Sequence, residues 1–221
     1  MNCIKCNASD AIKKGFRNEK QRFYYKECHR YFQASYNYQA YTSDIDKLII
    51  GLLKEGCSVR GISRVLKISK DTVLSRMLKI SKQIKAPYFN TLGCKFEIDE
   101  MWCFIGNKKN VIWITYVLER ETKNIIDFYV GRKTKETIRP LINKVLLLNP
   151  TRIYTDRLNI YPSLIPKEIH KRFQYCTNKI ERMNLNIRTH IKRLSRKTIC
   201  FSRNKIYLEA HLKIYFWGPY F

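Results

Sequence analysis

Three carboxylates stand at positions where a charged side chain is unexpected. Asp99 lies inside the apolar stretch FEIDEMW, Asp156 ends the largely apolar stretch RIYTD, and Glu181 lies near the start of a strongly basic segment. A buried carboxylate is costly unless it is paired or binds a metal ion. Acids from two strands and one helix can converge on one point, and their oxygens suit Mg²⁺ or Mn²⁺. We therefore interpret these three acids as a candidate divalent-metal cluster for phosphodiester chemistry.

Each of the three acids also has an ordinary structural interpretation. Asp99 could end a strand, Asp156 could belong to a turn, and Glu181 could form a salt bridge on its helix. Glu100 is the closest competitor of Asp99 in the sequence. Because successive residues of a strand point to opposite faces, we expect only one of the two to join the cluster, and we choose Asp99.

The basic segment around Glu181 predicts a long helix that begins near Asn178. An acid among so many bases is expected if the helix follows a DNA backbone, because the bases hold phosphates while the acid holds a metal ion. A merely solvated helix would be expected to contain more acids. The expected DNA-binding side chains of this segment are Arg182, Arg188, Lys192, Arg193, Arg196 and Lys197.

The whole chain is strongly basic, with 43 Lys and Arg against 18 Asp and Glu and a formal charge of +25. Such self-repulsion is most easily tolerated when a polyanion neutralises it, which favours nucleic acid over an anionic membrane surface or a solvated surface without a partner. The sequence contains no signal-peptide pattern and no apolar run near the roughly 18 residues that a membrane span needs. We therefore expect a cytoplasmic, nucleoid-associated protein with reduced cysteines.

Residues 43–84 have the pattern of a helix-turn-helix DNA-binding domain. Apolar residues recur at helical spacing in three segments, and Ile68 points inward from the turn. Ser43, Ser58 and Ser69 can cap the first, second and third helices. The alternative is a simple packing unit of three helices, and the net charge favours DNA binding. The side chains expected to face DNA from the third helix are Lys70, Asp71, Thr72, Ser75, Arg76 and Lys79.

Residues 1–35 have the pattern of a zinc-ribbon-like module with one ligand missing. Cys3 and Cys6 form a C-x-x-C pair and Cys28 follows, but the position that would complete a second pair is Tyr25. Structural zinc sites take four ligands, so Zn²⁺ held by these three cysteines would lack one of them. The alternative is a degenerate ribbon held together by aromatic side chains, namely Phe16, Phe23, Tyr24, Tyr31 and Phe32.

Residues 95–221 predict an α/β domain with a mixed sheet. Three strands, a helix, a further strand and more helices follow one another in the order typical of that class. The segments rich in Ile, Val, Phe, Trp and Tyr predict the strands, and apolar residues at helical spacing predict the first helix. The predicted strands are 96–106, 111–119, 124–130, 152–156 and 172–176, and the first helix is 134–147.

Three stretches of this sequence resemble the transposases of the bacterial insertion sequence 1 family. They are FEIDEMWCFIGNKKNVIWITY, RIYTD and KIERMNLNIRTHIKRLSRKTICFS, and the N-terminal cysteines and QRFYYKECHRYF resemble the same family's DNA-reading part. The resemblance implies a ribonuclease H-like catalytic domain with an Asp-Asp-Glu triad, which matches Asp99, Asp156 and Glu181. It also implies Mg²⁺, binding to the terminal inverted repeats and target DNA as a homo-multimer, and cleavage followed by strand transfer.

The sequence departs from the family pattern at two places. A cysteine of the family's zinc site falls at Tyr25, and the Gly and aromatic residue that usually follow the second catalytic Asp are replaced by Arg157 and Leu158. Both changes are of the kind expected when an inactive copy of the insertion element decays. A catalytically inactive DNA-binding remnant, or a repressor of the element, is therefore the alternative function, and a ribonuclease H-like nuclease that hydrolyses without joining is a third.

Overall fold

A computed structural model of the chain describes residues 6, 9–17, 19–33, 40, 42–88, 92–172 and 177–219. The chain divides into two compact units, Met1–Tyr41 and Thr42–Phe221. The predicted helix-turn-helix at 43–84 and the predicted α/β domain at 95–221 thus lie within one compact unit. No helix in the described part of the chain combines the length and the apolar character that crossing a bilayer requires.

The first unit contains a three-stranded antiparallel sheet in the order β1-β2-β3. Its strands are β1 (Ala11–Arg17), β2 (Lys20–Tyr25) and β3 (Arg30–Gln33). Tyr25 is buried and stacks on Phe32 with ring centroids 4.8 Å apart, and Phe23 stacks on the same ring at 5.1 Å. Aromatic cross-strand pairs of this kind stabilise a small sheet. Phe16 was expected to join them, but it is 73% exposed and contributes little to the packing.

Three helices open the second unit, α1 (Ile45–Lys54), α2 (Val59–Val65) and α3 (Lys70–Gln83). The Ser58 side chain accepts a hydrogen bond from the Gly61 backbone N–H at 3.1 Å, and Ser69 accepts one from Thr72 at 3.0 Å. Both serines therefore cap their helices as the sequence predicted. The predicted cap by Ser43 is wrong, because Asp44 occupies the N-cap position of α1, where the side chain accepts no capping hydrogen bond. Ile68, in the turn between α2 and α3, is buried as expected.

A five-stranded mixed sheet forms the centre of the second unit, in the order β6-β5-β4-β7-β8. Strands β4, β5 and β6 pair antiparallel, whereas β4, β7 and β8 pair parallel. The mixed sheet confirms the α/β prediction. The strands are β4 (Lys95–Phe104), β5 (Val111–Glu119), β6 (Ile125–Gly131), β7 (Arg152–Thr155) and β8 (His170–Lys171).

Helices cover both faces of this sheet. The remaining helices are α4 (Lys135–Leu146), α5 (Asn178–His190) and α6 (Lys205–Trp217). Met101 and Tyr116 belong to a buried cluster with residues of α5 and α6, whereas Phe96 and Ile98 belong to a second cluster with residues of α4. Alternate residues of β4 therefore face different helices, as the pleat of a strand requires. Helices α1 and α3 also pack against α6.

Two predicted elements differ from the structure. The long basic helix ends at His190, because Ile191 has φ −97° and ψ 89° and Lys192–Leu194 forms a single 3-10 turn. Lys192, Arg193, Arg196 and Lys197 are therefore not on the helix that carries Glu181. The strand predicted at 172–176 falls mostly on residues outside the described part, and Arg172 itself follows β8.

Candidate active site

The pairing of β4 with β7 brings two of the predicted acids together. The parallel register runs from Lys95 opposite Arg152 to Ile98 opposite Thr155. Asp156 directly follows the last residue of β7, and Asp99 directly follows Ile98, the last residue of β4 that pairs with β7. The two aspartates therefore lie next to each other, Asp99 within β4 and Asp156 at the carboxyl end of β7.

Asp99, Glu100 and Asp156 each offer a carboxylate oxygen, and these oxygens all lie within 4.8 Å of one another. The expectation that Glu100 could not join the cluster is therefore wrong. The two side chains do leave β4 on opposite faces, but β7 pairs with β4 only as far as Ile98. Beyond that point both side chains can turn around the edge of β4 toward Asp156.

Asp99 is held by neutral hydrogen-bond donors. Its Oδ2 accepts from the Asn184 side-chain amide at 2.7 Å, and its Oδ1 accepts from the Glu100 backbone N–H at 2.8 Å. The Asn184 carbonyl in turn accepts from the Tyr116 hydroxyl at 2.9 Å. Burial raises the pKa of Asp99, and the nearby carboxylates of Asp156 and Glu181 raise it further.

Glu100 differs from the aspartates because it has a cationic partner. Its Oε2 lies 3.0 Å from the Lys133 ammonium, and its Oε1 accepts a hydrogen bond from the buried Tyr161 hydroxyl. Across the described ranges, no ion pair involves Asp99 or Asp156. Two uncompensated carboxylates in so basic a chain suit a hard cation from solution, so the residues present fit Mg²⁺ or Mn²⁺.

Glu181 lies in the first turn of α5, and it is exposed. It accepts a hydrogen bond from the Thr177 hydroxyl at 3.3 Å, and its charge raises the pKa of Asp99. It is not among the three acids whose oxygens lie within 4.8 Å of one another. The structure thus places Glu181 beside the cluster, on the helix whose Asn184 contacts Asp99.

Glu97 is a buried acid that the sequence analysis missed. None of its side chain is exposed, its Oε2 accepts from the Ile180 backbone N–H at 2.8 Å, and its Oε1 lies 3.2 Å from Arg120 Nε. Burial raises the pKa of Glu97, and the bond from Ile180 and the charge of Arg120 oppose that rise. Glu97 therefore joins β4 to the first turn of α5. The available signal was its spacing, two residues before Asp99 on the same strand face.

The side chains predicted to read DNA from α3 fall into two groups. Lys70, Ser75 and Lys79 are exposed. By contrast, the Thr72 hydroxyl lies 2.8 Å from the Ser69 hydroxyl, and Arg76 pairs with Asp46 of α1 at 3.3 Å. Arg76 is therefore half-buried between two helices, which the sequence pattern did not indicate.

The basic residues predicted around Glu181 also divide. Arg188 donates to the Leu194 carbonyl at 3.2 Å, and the half-buried Arg193 donates to the Ser202 hydroxyl at 3.0 Å. Burial lowers the pKa of Arg193 to about 10, so it remains charged at neutral pH. These two arginines therefore bind the segment that follows α5, whereas the sequence predicted that they would contact DNA. The exposed members are Arg182, Lys192, Arg196 and Lys197.

The turn after Asp156 accommodates both residues that replace the family's Gly and aromatic residue, Arg157 and Leu158. The Leu158 backbone N–H donates to Asp156 Oδ1 at 2.9 Å, which orients that carboxylate. The Leu158 side chain packs against the buried cluster on the α4 side of the sheet. Arg157 is exposed, and within the described residues it forms no ion pair with Asp156.

The zinc site remains a prediction. Cys3 lies outside the described residues, whereas Cys6 and Cys28 are described. Tyr25, at the position of the missing ligand, is buried against Phe32. An aromatic contact thus occupies the position where the complete motif would have a fourth ligand.

Replacing Asp156 by Asn should separate metal binding from folding. Burial, and to a smaller extent the charge of Asp156, raises the pKa of Asp99 and of Glu100, so the folded state holds protons more tightly than the unfolded state. This tighter proton binding favours the folded state at low pH, and the benefit is lost as the pH rises through the raised pKa values of Asp99 and Glu100. At neutral pH without divalent ions, Asp156→Asn should therefore unfold at an unchanged or higher temperature than the wild type. Thermal melts with and without Mn²⁺ measure this, and the stabilisation by Mn²⁺ should appear only in the wild type. Equal stabilisation of both proteins would contradict the assignment.

The sequence of the chain is similar to the sequences of several known proteins. Residues 92–217 match the sequence model of the IS1 transposase. The insertion element iso-IS1n protein InsB of Shigella dysenteriae is 38% identical over 118 residues, covering 53% of this chain and 88% of that protein. The insertion element IS1 4 protein InsB of Escherichia coli (strain K12) is 33% identical over 121 residues, covering 53% of this chain and 69% of that protein.

Among solved structures, a chain of the simian T-cell lymphotropic virus intasome in complex with PP2A regulatory subunit B56 gamma matches with a TM-score of 0.32 and 14% identity. That match covers 62% of this chain and 57% of the other, and similarity at this level supports no argument about fold or function. The family match covers more than half of the chain. The chain belongs to the IS1 transposase family.

Proposed function

We propose that this protein is a transposase that binds the terminal inverted repeats of its insertion sequence and catalyses metal-dependent DNA cleavage and strand transfer. The observation that carries the proposal is the pair of uncompensated aspartates, Asp99 and Asp156, which meet where the parallel pairing of β4 with β7 stops. Glu181 completes the catalytic triad from the adjacent helix. The mixed sheet with helices on both faces suits a ribonuclease H-like catalytic domain.

Asp99, Asp156 and Glu181 would hold Mg²⁺ or Mn²⁺, which when bound activates the attacking oxygen and stabilises the leaving oxygen of a phosphodiester. The other residues of the site orient these ligands. Asn184 holds Asp99, and the Leu158 backbone N–H holds Asp156. Lys133 neutralises Glu100, which leaves the two aspartates as the charges available to a cation.

Double-stranded DNA is the proposed partner, with the protein acting as a homo-multimer on the element's ends. The net charge of +25 supports a polyanionic partner. The first two helices and α3 match a helix-turn-helix in length and order, and Lys70, Ser75 and Lys79 are exposed along α3. Arg182, on the same helix as Glu181, is exposed beside the proposed catalytic acid and suits contact with the phosphate backbone.

The proposal is tested with a labelled duplex that carries the element's terminal repeat. Wild-type protein with Mg²⁺ should produce cleaved and joined strands, EDTA should abolish them, and Asp99→Ala should produce neither. Cleavage without joined products would favour the nuclease. If wild type and variant bind the repeat equally and both are inert, the chain is a DNA-binding remnant or repressor. The exposed Arg157 beside Asp156 is the observation that favours this alternative.

Arg76→Ala should weaken binding to terminal-repeat DNA by about 1 to 3 kcal/mol if Arg76 reads a base. Because Arg76 pairs with Asp46, the matched control is Asp46→Ala, which removes the partner and keeps the arginine. Fluorescence anisotropy with repeat and unrelated duplexes measures the effect. Loss of binding in Arg76→Ala alone assigns Arg76 to the DNA interface. Equal losses in both variants would assign it to packing between α1 and α3.

A further inference from the structure

A cavity of about 540 Å³ lies between α2, α3, the segment after α5 and α6. Its volume falls in the range of about 300 to 1,000 Å³ that is typical of sites for small ligands. Val59, Leu74 and Phe201 contribute apolar side chains to its wall, and Tyr207 contributes a second aromatic ring. The cavity is separate from the acid cluster, which contributes none of its lining residues.

His211 of α6 lines this cavity and is 3% exposed. Neither of its ring nitrogens has a hydrogen-bond partner within the described residues, although the Leu53 backbone lies near enough to favour its charged form. Burial lowers the pKa of His211 to about 3, so the ring is neutral and offers one donor and one acceptor. Buried polar groups are normally paired, so a ring without a partner beside a cavity suits a ligand that supplies one.

Six cationic side chains line the same cavity. Arg193 is half-buried, and the other five form the rim, namely Arg60, Arg64, Lys70, Lys192 and Arg203. All five are exposed, and none of them forms an ion pair with a described acid. Asp71 is the single acid among the lining residues. A rim with this charge suits a phosphate group, because lysine and arginine are the usual phosphate-binding side chains.

We infer that this cavity binds a single unpaired nucleotide, with its base against Phe201, Tyr207 and His211 and its phosphate on the basic rim. A flat base satisfies the aromatic wall by stacking and the neutral imidazole by a hydrogen bond. A base inside a duplex cannot enter, because it is stacked and paired. The inference rests on the proposed function, because that function makes DNA the source of the unpaired nucleotide. A free nucleotide carries the same base and phosphate groups, so the test must distinguish the two sources.

The test compares three duplexes of one sequence, with a central position that is paired, unpaired or abasic. 2-Aminopurine serves as the base at that position, because its fluorescence reports the loss of stacking in DNA. The protein should bind the unpaired duplex about tenfold more tightly than the abasic one, since stacking of one base contributes that much. Free 2-aminopurine deoxyribonucleoside monophosphate forms a further arm, and its binding alone would identify a free nucleotide as the ligand.

Two variants connect the result to the cavity. His211→Phe keeps the ring volume and removes both nitrogens, so it should lose most of the preference for the unpaired base without a lower unfolding temperature. Lys70→Ala should weaken binding of the unpaired duplex more than binding of the paired duplex, whereas Lys82→Ala, at an exposed lysine at the other end of α3, should affect both duplexes equally. The lysine pair keeps the test decisive if His211→Phe does not fold.

Equal affinity for the unpaired and abasic duplexes, with no binding of the free nucleotide, would overturn the inference. A lower unfolding temperature in His211→Phe with an unchanged preference would also overturn it, because His211 would then be structural. Failure of the proposed function looks different, since the terminal-repeat duplex would then be neither specifically bound nor cleaved. If the protein cleaves its repeat but shows no preference for the unpaired base, the proposed function stands and only nucleotide binding in the cavity is refuted.

Discussion

Glu181→Gln should bind terminal-repeat DNA with nearly wild-type affinity and cleave it at least about 100-fold more slowly. Loss of an outer partner of a metal ligand alone costs about 10- to 100-fold, so loss of a ligand should cost more. The amide fills the same space and can still accept the hydrogen bond from Thr177. It lacks the charge that raises the pKa of Asp99 and that would hold a divalent ion.

The control for this experiment is Glu209→Gln, since Glu209 is a partly exposed acid of α6 that pairs with Lys205 at 3.2 Å. It removes the same charge from another helix of the same unit and should leave cleavage unchanged. Single-turnover cleavage and equilibrium binding are measured on one substrate. Parallel loss of cleavage and binding in Glu181→Gln would show that Glu181 serves the structure or the DNA interface instead of the metal.

Glu97→Ala should lower the free energy of unfolding of the second unit by about 3 kcal/mol, which corresponds to roughly 6 to 12 °C in unfolding temperature. The substitution removes the acceptor for Ile180 and leaves Arg120 without its carboxylate partner. The expected loss is at the low end for a buried pair, because Arg120 keeps some contact with water. Thermal and urea unfolding measure it.

Glu97→Gln is the conservative companion, since an amide oxygen can still accept from Ile180 but carries no charge for Arg120. It should recover part of the lost stability. Glu121→Ala, an exposed acid in the turn after β5, should have little effect. Because Glu97 joins β4 to the first turn of α5, Glu97→Ala should also slow cleavage when measured well below its unfolding temperature. An unfolding temperature equal to that of Glu121→Ala would refute this role.

The apolar pattern was sufficient to predict most of the elements. Strand β5 lies where its content of Ile, Val, Trp and Tyr predicted it, and Thr134 caps α4 at the predicted start. The end of α5 was not predictable, because Ile187, Ile191 and Leu194 continue a helical spacing with no Gly or Pro between them. The helix ends because the backbone leaves the helical region at Ile191, and Arg188 and Ser195 then bond across the turn.

The candidate site was predictable in part. Asp99 and Asp156 were identified because an acid in an apolar strand requires a partner, and the structure brings them together. The proximity of Glu100 depends on where β7 ends relative to β4, which no local pattern specifies. Glu97 could have been found by the argument that singled out Asp99, since both lie on one face of β4. The catalytic role of Glu181 remains a prediction.

Two of the helices proposed to read DNA pack directly on a helix of the proposed catalytic domain. Helices α1 and α3 pack on α6, the Lys54 ammonium donates to the Gly218 carbonyl, and a side chain at Gly56 would contact the His190 backbone at 3.1 Å. The bases read by α3 and the phosphodiester cut near Asp99 would then be separated by a constant number of base pairs. If base pairs are inserted between the bound sequence and the natural cut, the cut should stay at the same distance from the bound sequence and therefore move relative to the end of the element.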